Sequence, residues 1–231
     1  ALNMINAGIL LHAGANQLPF ITMIDKGPSA KGLVMLAKAI LPPEKAEQVV
    51  YWRPTPNDTR FTVNPWDTEL GCDKPLSPAR DYLITLIEGM TPELGTEGSK
   101  FIGMVVDKTY EKYSRLSSSA KRWNLSYNAE LTKLAEDLGW VFDEEKPTRV
   151  YDLVDFFFKK KRLREAEMAQ YYAVPVMTDI TEIISSAEIR NLWGNALSPS
   201  GESMIDVLSR SIITGANEYK LFYSRTQHTT R

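Results

Sequence analysis

The sequence predicts an α/β layered fold with a large, mainly helical block set into it. Three observations carry that prediction. Residues 18–25 form a short apolar run, rich in β-branched side chains, that stops abruptly at Asp25, the pattern of a strand buried on both faces of a parallel sheet. The first 65 residues alternate helix, strand, helix, strand, as layered sheets do. From about residue 76 the apolar period becomes helical and stays so to about residue 215, before a last strand-like run at 219–223.

Taken in order, residues 1–13 read as a helix with Leu2, Ile5 and Ile9 on one face and Leu10 extending it. Gly14 lies near its end, where a residue able to turn left-handed closes a helix. No capping residue precedes Ala1 and no methionine opens the chain, so the helix is expected to begin upstream and the chain to be a piece of something longer. The turn Lys26-Gly27-Pro28-Ser29 follows the first strand and leads into a helix over 30–41, which Pro42 and Pro43 close. Strands are expected at 48–52 and, shorter, at 60–64. Helices follow over 78–90, 103–116, 128–138, 149–172, 177–193 and 202–214, with polar loops at 91–99 and 143–147. The organisation is then 1–75 as the first part of a sheet-bearing core, 76–215 as a helical insertion, and 216–231 as a returning strand. There is no internal repeat and no low-complexity tract.

Composition narrows the function. With 231 residues, 43% of them hydrophobic, the chain is an ordinary globular one, and a chain of this length buries ~70–75% of its unfolded surface. Its 27 basic and 29 acidic residues leave a net charge of −2, which argues against a dedicated nucleic-acid binder. The single cysteine, Cys72, can close no intrachain disulfide and points to a reducing compartment. One cysteine with two distant histidines, His12 and His228, argues against a metal site. No apolar run approaches the ~20 residues that span a bilayer. Residues 1–15 are apolar but lack a basic start and are interrupted by Asn3, Asn6 and His12, so they are not read as a signal peptide.

Motif by motif, the chemistry is sparse. Gly27-Pro28-Ser29-Ala30-Lys31-Gly32 has the glycine spacing of a phosphate-binding loop, but Leu33 and Val34 stand where such a loop needs Lys and Ser/Thr, and Pro28 removes an amide donor. It reads better as a tight strand-to-helix turn. Asp25 and Lys26 stand at the carboxyl end of the first strand, where open α/β sheets gather ligands, although Asp25 there also suits a helix cap or an ion pair with Lys26. The carboxylates Asp143, Glu144 and Glu145, the pair Asp152 and Asp155, and the pair Glu165 and Glu167 read as solvated charge, since acid–base chemistry needs carboxylates converging in an apolar cleft. Cys72 has no histidine near it to make it a nucleophile. Lys159, Lys160, Lys161, Arg162 and Arg164 follow three phenylalanines, a pattern of an amphipathic helix or of a patch that holds a protein or single-stranded nucleic acid.

The order of the signals is more specific than any one of them. The opening helix, the run from Pro19 through Asp25 to Gly32, and then Phe61-Thr-Val-Asn-Pro-Trp-Asp-Thr-Glu-Leu-Gly-Cys72 together resemble the motor ATPases of type IV secretion and conjugative transfer. The similarity runs from residue 1 to about 90 and, loosely, over 208–231. The resemblance implies an incomplete RecA-like P-loop NTPase core with a helical insertion. It implies that the family's phosphate-binding loop lies just upstream of the opening helix and its metal-positioning acid downstream of the last strand, so that this segment holds no catalytic residue of its own. ATP and magnesium belong, on that reading, to the intact protein, which spends ATP to power substrate transfer or machine assembly. The nucleotide-adjacent residues would be Asp25, Lys26 and, as a charge reaching a neighbouring subunit, Arg225. The partners would be identical subunits in a hexamer and other components of the secretion machine, in the cytoplasm against the bacterial inner membrane. The alternative reading is a non-catalytic helical module that uses residues 156–164 to hold protein or, less in keeping with the charge balance, single-stranded nucleic acid.

Overall fold

The computed structural model describes residues 2–13, 21, 23, 29–59, 61–143 and 145–227. They fall into two compact units, one within Ala1–Pro54 and the other Thr55–Gln227. The first holds α1 (Leu2–Ala13), α2 (Ser29–Ile40) and the short α3 (Pro43–Ala46). In it α1 packs on α2, Ala37 is buried, and Ile5, Ile9, Met35, Leu36 and Ile40 remain exposed.

The second unit is built from α4 (Ser77–Met90), α5 (Gly98–Lys112), α6 (Ala129–Asp137), α7 (Val150–Lys159), α8 (Leu163–Gln170), α9 (Ile180–Ile184), α10 (Ala187–Trp193) and α11 (Met204–Glu218). Local sequence explains most of these. Pro78 opens α4 in its first turn, where its missing N–H costs nothing. Asn128 and Ser186 cap α6 and α10, their side chains accepting from Leu131 N at 3.0 Å and Ile189 N at 3.3 Å. Leu83 and Ile87 of α4, and Phe101, Ile102, Val105 and Val106 of α5, line single helix faces, and all are buried. These faces meet α9, α10 and α11 in one core around Phe101, Met177, Ile180, Ile184 and Leu208. A second core joins α6, α7 and α8 around Trp123, Tyr151, Leu153 and Phe157.

The α/β, RecA-like expectation is overturned. Among the described residues no strand ladder forms, and β-type pairing is confined to two isolated bridges, Arg122 with Arg149 and Leu197 with Ser203. The expected strand at 18–25 lies almost wholly outside the described residues. The one at 48–52 opens instead as the turn closing α3, with Gln48 N bonded to Lys45 O at 3.0 Å and Val49 N to Ala46 O at 3.2 Å. Residues 61–64 and 219–223 do run beside each other, through Val63 N to Leu221 O at 2.9 Å, but Thr62 and Asn64 then bond through their side chains and the ladder stops. Residues Lys220–Phe222 coil into a 3-10 turn, because Gly215 lets the chain fold back on α11. A Cβ at Gly215 would lie 2.5 Å from Tyr223 Oη, which donates to Ile212 O at 2.6 Å.

The long helix expected over 149–172 is broken between α7 and α8. Arg162 N bonds to Phe157 O and Lys161 N to Phe158 O, both at 2.9 Å, the paired bonds that end a helix when the residue between them turns left-handed. That residue is Lys161, at φ 59°, where glycine is the usual occupant. Lys161→Gly is therefore expected to stabilise the protein by about 0.5–1 kcal/mol, the left-handed penalty of a lysine less the extra chain entropy of glycine. A higher urea midpoint with unchanged slope would show it.

Candidate functional site

Two polar constructions stand out in the Thr55–Gln227 unit. The first is the irregular run 61–72. Pro65 and the lack of a regular backbone pattern leave its polar groups to be satisfied one at a time. Thr62 Oγ1 donates to Arg225 O at 2.6 Å, and Asn64 Nδ2 donates to Pro175 O at 2.8 Å. Asn64 N donates to Thr226 Oγ1 at 2.8 Å, and that hydroxyl in turn donates to Asp67 Oδ2. Trp66 is fully buried against the first core, with its ring 5.1 Å from that of Tyr110, whose hydroxyl donates to Trp66 O at 3.0 Å. Leu70 packs on the second core.

Gln170, buried at the end of α8, fastens the rest of the run. Its Nε2 donates to Glu69 O at 2.7 Å and to Thr68 O and Oγ1 at 3.0 Å, while its Oε1 accepts from Gly71 N at 2.7 Å. Asp67 is mostly buried, and burial pushes its carboxyl up to about 6 against the lowering effect of its bonds from Thr226 and Asn64, with Glu167 adding a small rise.

The second construction is an open cleft of about 730 Å³ whose charged and aromatic lining includes Lys121, Arg122, Trp123, Tyr127, Asp179 and Arg225. Its wall at 121–128 is shaped by local bonds. Trp123 N donates to Thr148 O at 2.8 Å and Val150 N to Lys121 O at 3.0 Å, tying it to the start of α7. Asn124 Oδ1 accepts from Ser126 N at 2.9 Å, turning the chain back toward the Asn128 cap. Lys121 Nζ reaches Asp179 Oδ2 at 2.5 Å and lies 5.0 Å from the centre of the Tyr113 ring. The same Asp179 oxygen accepts from Val176 N at 2.9 Å, which fixes the carboxylate at the entry to α9. Burial lowers the pKa of Lys121, opposed by Asp179 and assisted by the charge of Arg225.

Arg225 is held by ring faces. Its guanidinium carbon lies 5.0 Å from the centre of the Tyr127 ring and 5.1 Å from that of Tyr172, and the two rings stack on each other at 5.0 Å. Among the described residues no carboxylate forms an ion pair with it, and its buried Nε–H has no acceptor. Trp123 stands edge-on to both tyrosines, at 5.8 and 5.3 Å, and donates through Nε1 to Thr132 Oγ1 at 3.1 Å.

No protein-family model matches this sequence, and no curated protein or solved structure matches it. Of the residues expected to face nucleotide, Asp25 and Lys26 lie outside the described residues, and Arg225 sits on the tyrosines at the cleft. Ser29, Ala30, Lys31 and Gly32 of the glycine-spaced turn are the first turn of α2. Lys159, Lys160, Lys161, Arg162 and Arg164 are exposed at the α7–α8 turn, Lys160 5.5 Å from the Phe156 ring. Asp155 pairs with Arg115 at 2.5 Å, and Asp143, Glu145, Asp152 and Glu167 are exposed. Cys72 is a free thiol whose carbonyl accepts from Thr68 Oγ1 at 2.6 Å.

Among the described residues no three His, Cys, Asp or Glu side chains gather as metal ligands, and no helix is long and apolar enough to cross a membrane. The described residues do not fit a magnesium nucleotide: the cleft has cations but only one carboxylate, already engaged by Lys121 and Val176, and α2 carries Leu33 and Val34 where a phosphate-binding loop needs Lys and Ser/Thr. Sequence reasoning missed Lys121, Tyr127, Tyr172 and Asp179. Lys121 and Asp179 are 58 positions apart, and no local pattern links them.

Proposed function

We propose that the chain is a segment of a motor ATPase of type IV secretion or conjugative transfer, and that its helical body is a load-bearing, non-catalytic part of that motor. The observation that supports this is where the resemblance falls. The run 61–72 is one of the three stretches that together resemble the Dot/Icm ATPase IcmB (DotO) and its conjugative relative TraU, and in this fold Asn64, Trp66, Asp67, Thr68 and Gly71 each engage a partner distant in sequence or the buried core. A likeness of composition alone would fall as readily on residues the fold leaves idle.

Phosphoryl transfer rests on positioning and on charge stabilisation by a phosphate loop, its lysine and a metal. The family holds those parts outside the stretch present here, so this segment contributes contacts and mechanical coupling while the intact protein supplies ATP and magnesium chemistry. Identical subunits and other secretion components are the partners this reading proposes, at the cytoplasmic face of a bacterial inner membrane.

The test compares this chain with the product of the whole gene. The whole product is expected to bind and hydrolyse magnesium ATP, and the chain alone to do neither in a calorimetric titration and a phosphate-release assay. Hydrolysis by the chain alone, or a whole product that binds no nucleotide, would contradict the proposal.

A further inference from the structure

We propose that the cleft beside Arg225 binds the phosphate group of a small organic phosphate ester, with Arg225 and Lys121 as its cationic anchors. This inference rests on the cleft alone and stands or falls apart from the motor reading.

The lining sets three cations, Lys121, Arg122 and Arg225, against the single carboxylate of Asp179. That carboxylate oxygen is already shared between Lys121 Nζ at 2.5 Å and Val176 N at 2.9 Å, so it neutralises one cation at most. Arg225 is set for a different role. A guanidinium buried for structure is normally matched by a carboxylate, with its N–H groups taken up in paired hydrogen bonds. Here Tyr127 and Tyr172 hold it by their faces, which fixes its position in the cleft lining, while among the described residues it has no carboxylate partner and its buried Nε–H has no acceptor. A positioned guanidinium without an acid is what a tetrahedral oxyanion uses, because its planar fork offers parallel donors to two oxygens.

The charge excess favours a doubly charged phosphate over a carboxylate. The Lys121 ammonium, which burial disfavours, gains from a second anion in the cleft. Space sets the rest of the ligand. A cleft of about 730 Å³ has room for an organic body as well as a phosphate, as small-molecule sites of ~300–1,000 Å³ do. The ring faces are spent on each other and on Arg225, so the body need not be aromatic.

The test is a titration of the isotope-labelled chain with glycerol 3-phosphate, inorganic phosphate and acetate at constant ionic strength, in the presence of a chelator and followed by amide shifts. Glycerol 3-phosphate is expected to move the amides of residues 121–127, 179 and 225, with affinity at least about tenfold above acetate and above inorganic phosphate. Arg225→Gln is expected to weaken it about tenfold or more, and Arg225→Lys to restore only part, since a lysine keeps the charge and loses the fork. If Arg225→Gln does not fold, the wild-type shift map and Lys121→Gln decide the matter. Equal affinity for acetate, shifts centred elsewhere, or undiminished binding by Arg225→Gln would overturn the site. Inorganic phosphate binding as tightly as the ester would overturn the assignment of an organic body.

Discussion

Gln170→Glu is expected to cost about 3–5 kcal/mol of stability at neutral pH, although it exchanges only the NH2 of the amide for an oxygen. The amide nitrogen of Gln170 stands among Glu69 O, Thr68 O and Thr68 Oγ1 at 2.7–3.0 Å. A carboxylate there faces two carbonyl oxygens and has no proton to offer, and Gly71 N alone does not compensate a buried charge. The sign of the pH dependence follows. Burial among acceptors raises the pKa of the introduced acid in the folded state, so stability is retained below the unfolded value and lost as pH rises through the folded one. Urea unfolding at pH 7.5 should show the full deficit, and at pH 5 a smaller one, because the protonated acid can donate to one carbonyl. Gln170→Ala, which leaves the acceptors unmatched without adding charge, should cost about 2–3 kcal/mol. A deficit under about 1 kcal/mol for Gln170→Glu at pH 7.5 would mean that the run 61–72 is not fastened through this residue.

The second large effect belongs to Asp67. Its carboxyl is pushed up to about 6, first by burial, so the folded chain binds a proton that the unfolded chain releases near pH 4. The contribution is fully present below the unfolded value and declines as pH rises from about 4 through about 6, then stays flat. The displacement of about two pH units amounts to roughly 3 kcal/mol between pH 4 and neutrality. Asp67→Asn should remove that slope and make the protein more stable than the parent at pH 7.5 by about 1–2 kcal/mol, less than the full amount because the amide must still meet Thr226. Stability measured from pH 4 to 8 in both proteins checks it. A parent curve that rises over that range while the variant stays flat would show that Asp67 is stabilised as the anion.

These residues also mark where the sequence could be read and where it could not. Helices over 78–90 and 128–138 are legible because their determinants are local: Pro78 in the first turn of α4, the Asn128 cap, and apolar residues at helical spacing. The strands at 48–52, 60–64 and 219–223 fail because a strand is completed by a neighbour that no local pattern reveals. Thr62 and Asn64 alternate with Val63 as strand residues do, yet they are buried so that their side chains can bond across the fold. Tyr219 to Tyr223 contains no β-branched residue, and Gly215, four positions before Tyr219, draws it back onto α11. The break at Lys161 is hidden because a lysine occupies a position that glycine usually announces. The cleft was out of reach altogether, since Lys121, Asp179 and Arg225 come from three separate stretches. Arg225 stands out in the sequence for its place after an expected strand, whereas what positions it is the pair Tyr127 and Tyr172.

The run 61–72, irregular as it is, belongs to the helical body as firmly as the helices do. Native-state amide hydrogen exchange on the whole chain tests this residue by residue. Val63, Asn64 and Gly71, whose N–H groups bond to Leu221 O, Thr226 Oγ1 and Gln170 Oε1, are expected to exchange only through global unfolding, together with Val105 and Val106 of α5. Exchange of those three amides through local opening, several kcal/mol below the α5 amides, would show the run to be a linker and not part of the helical body.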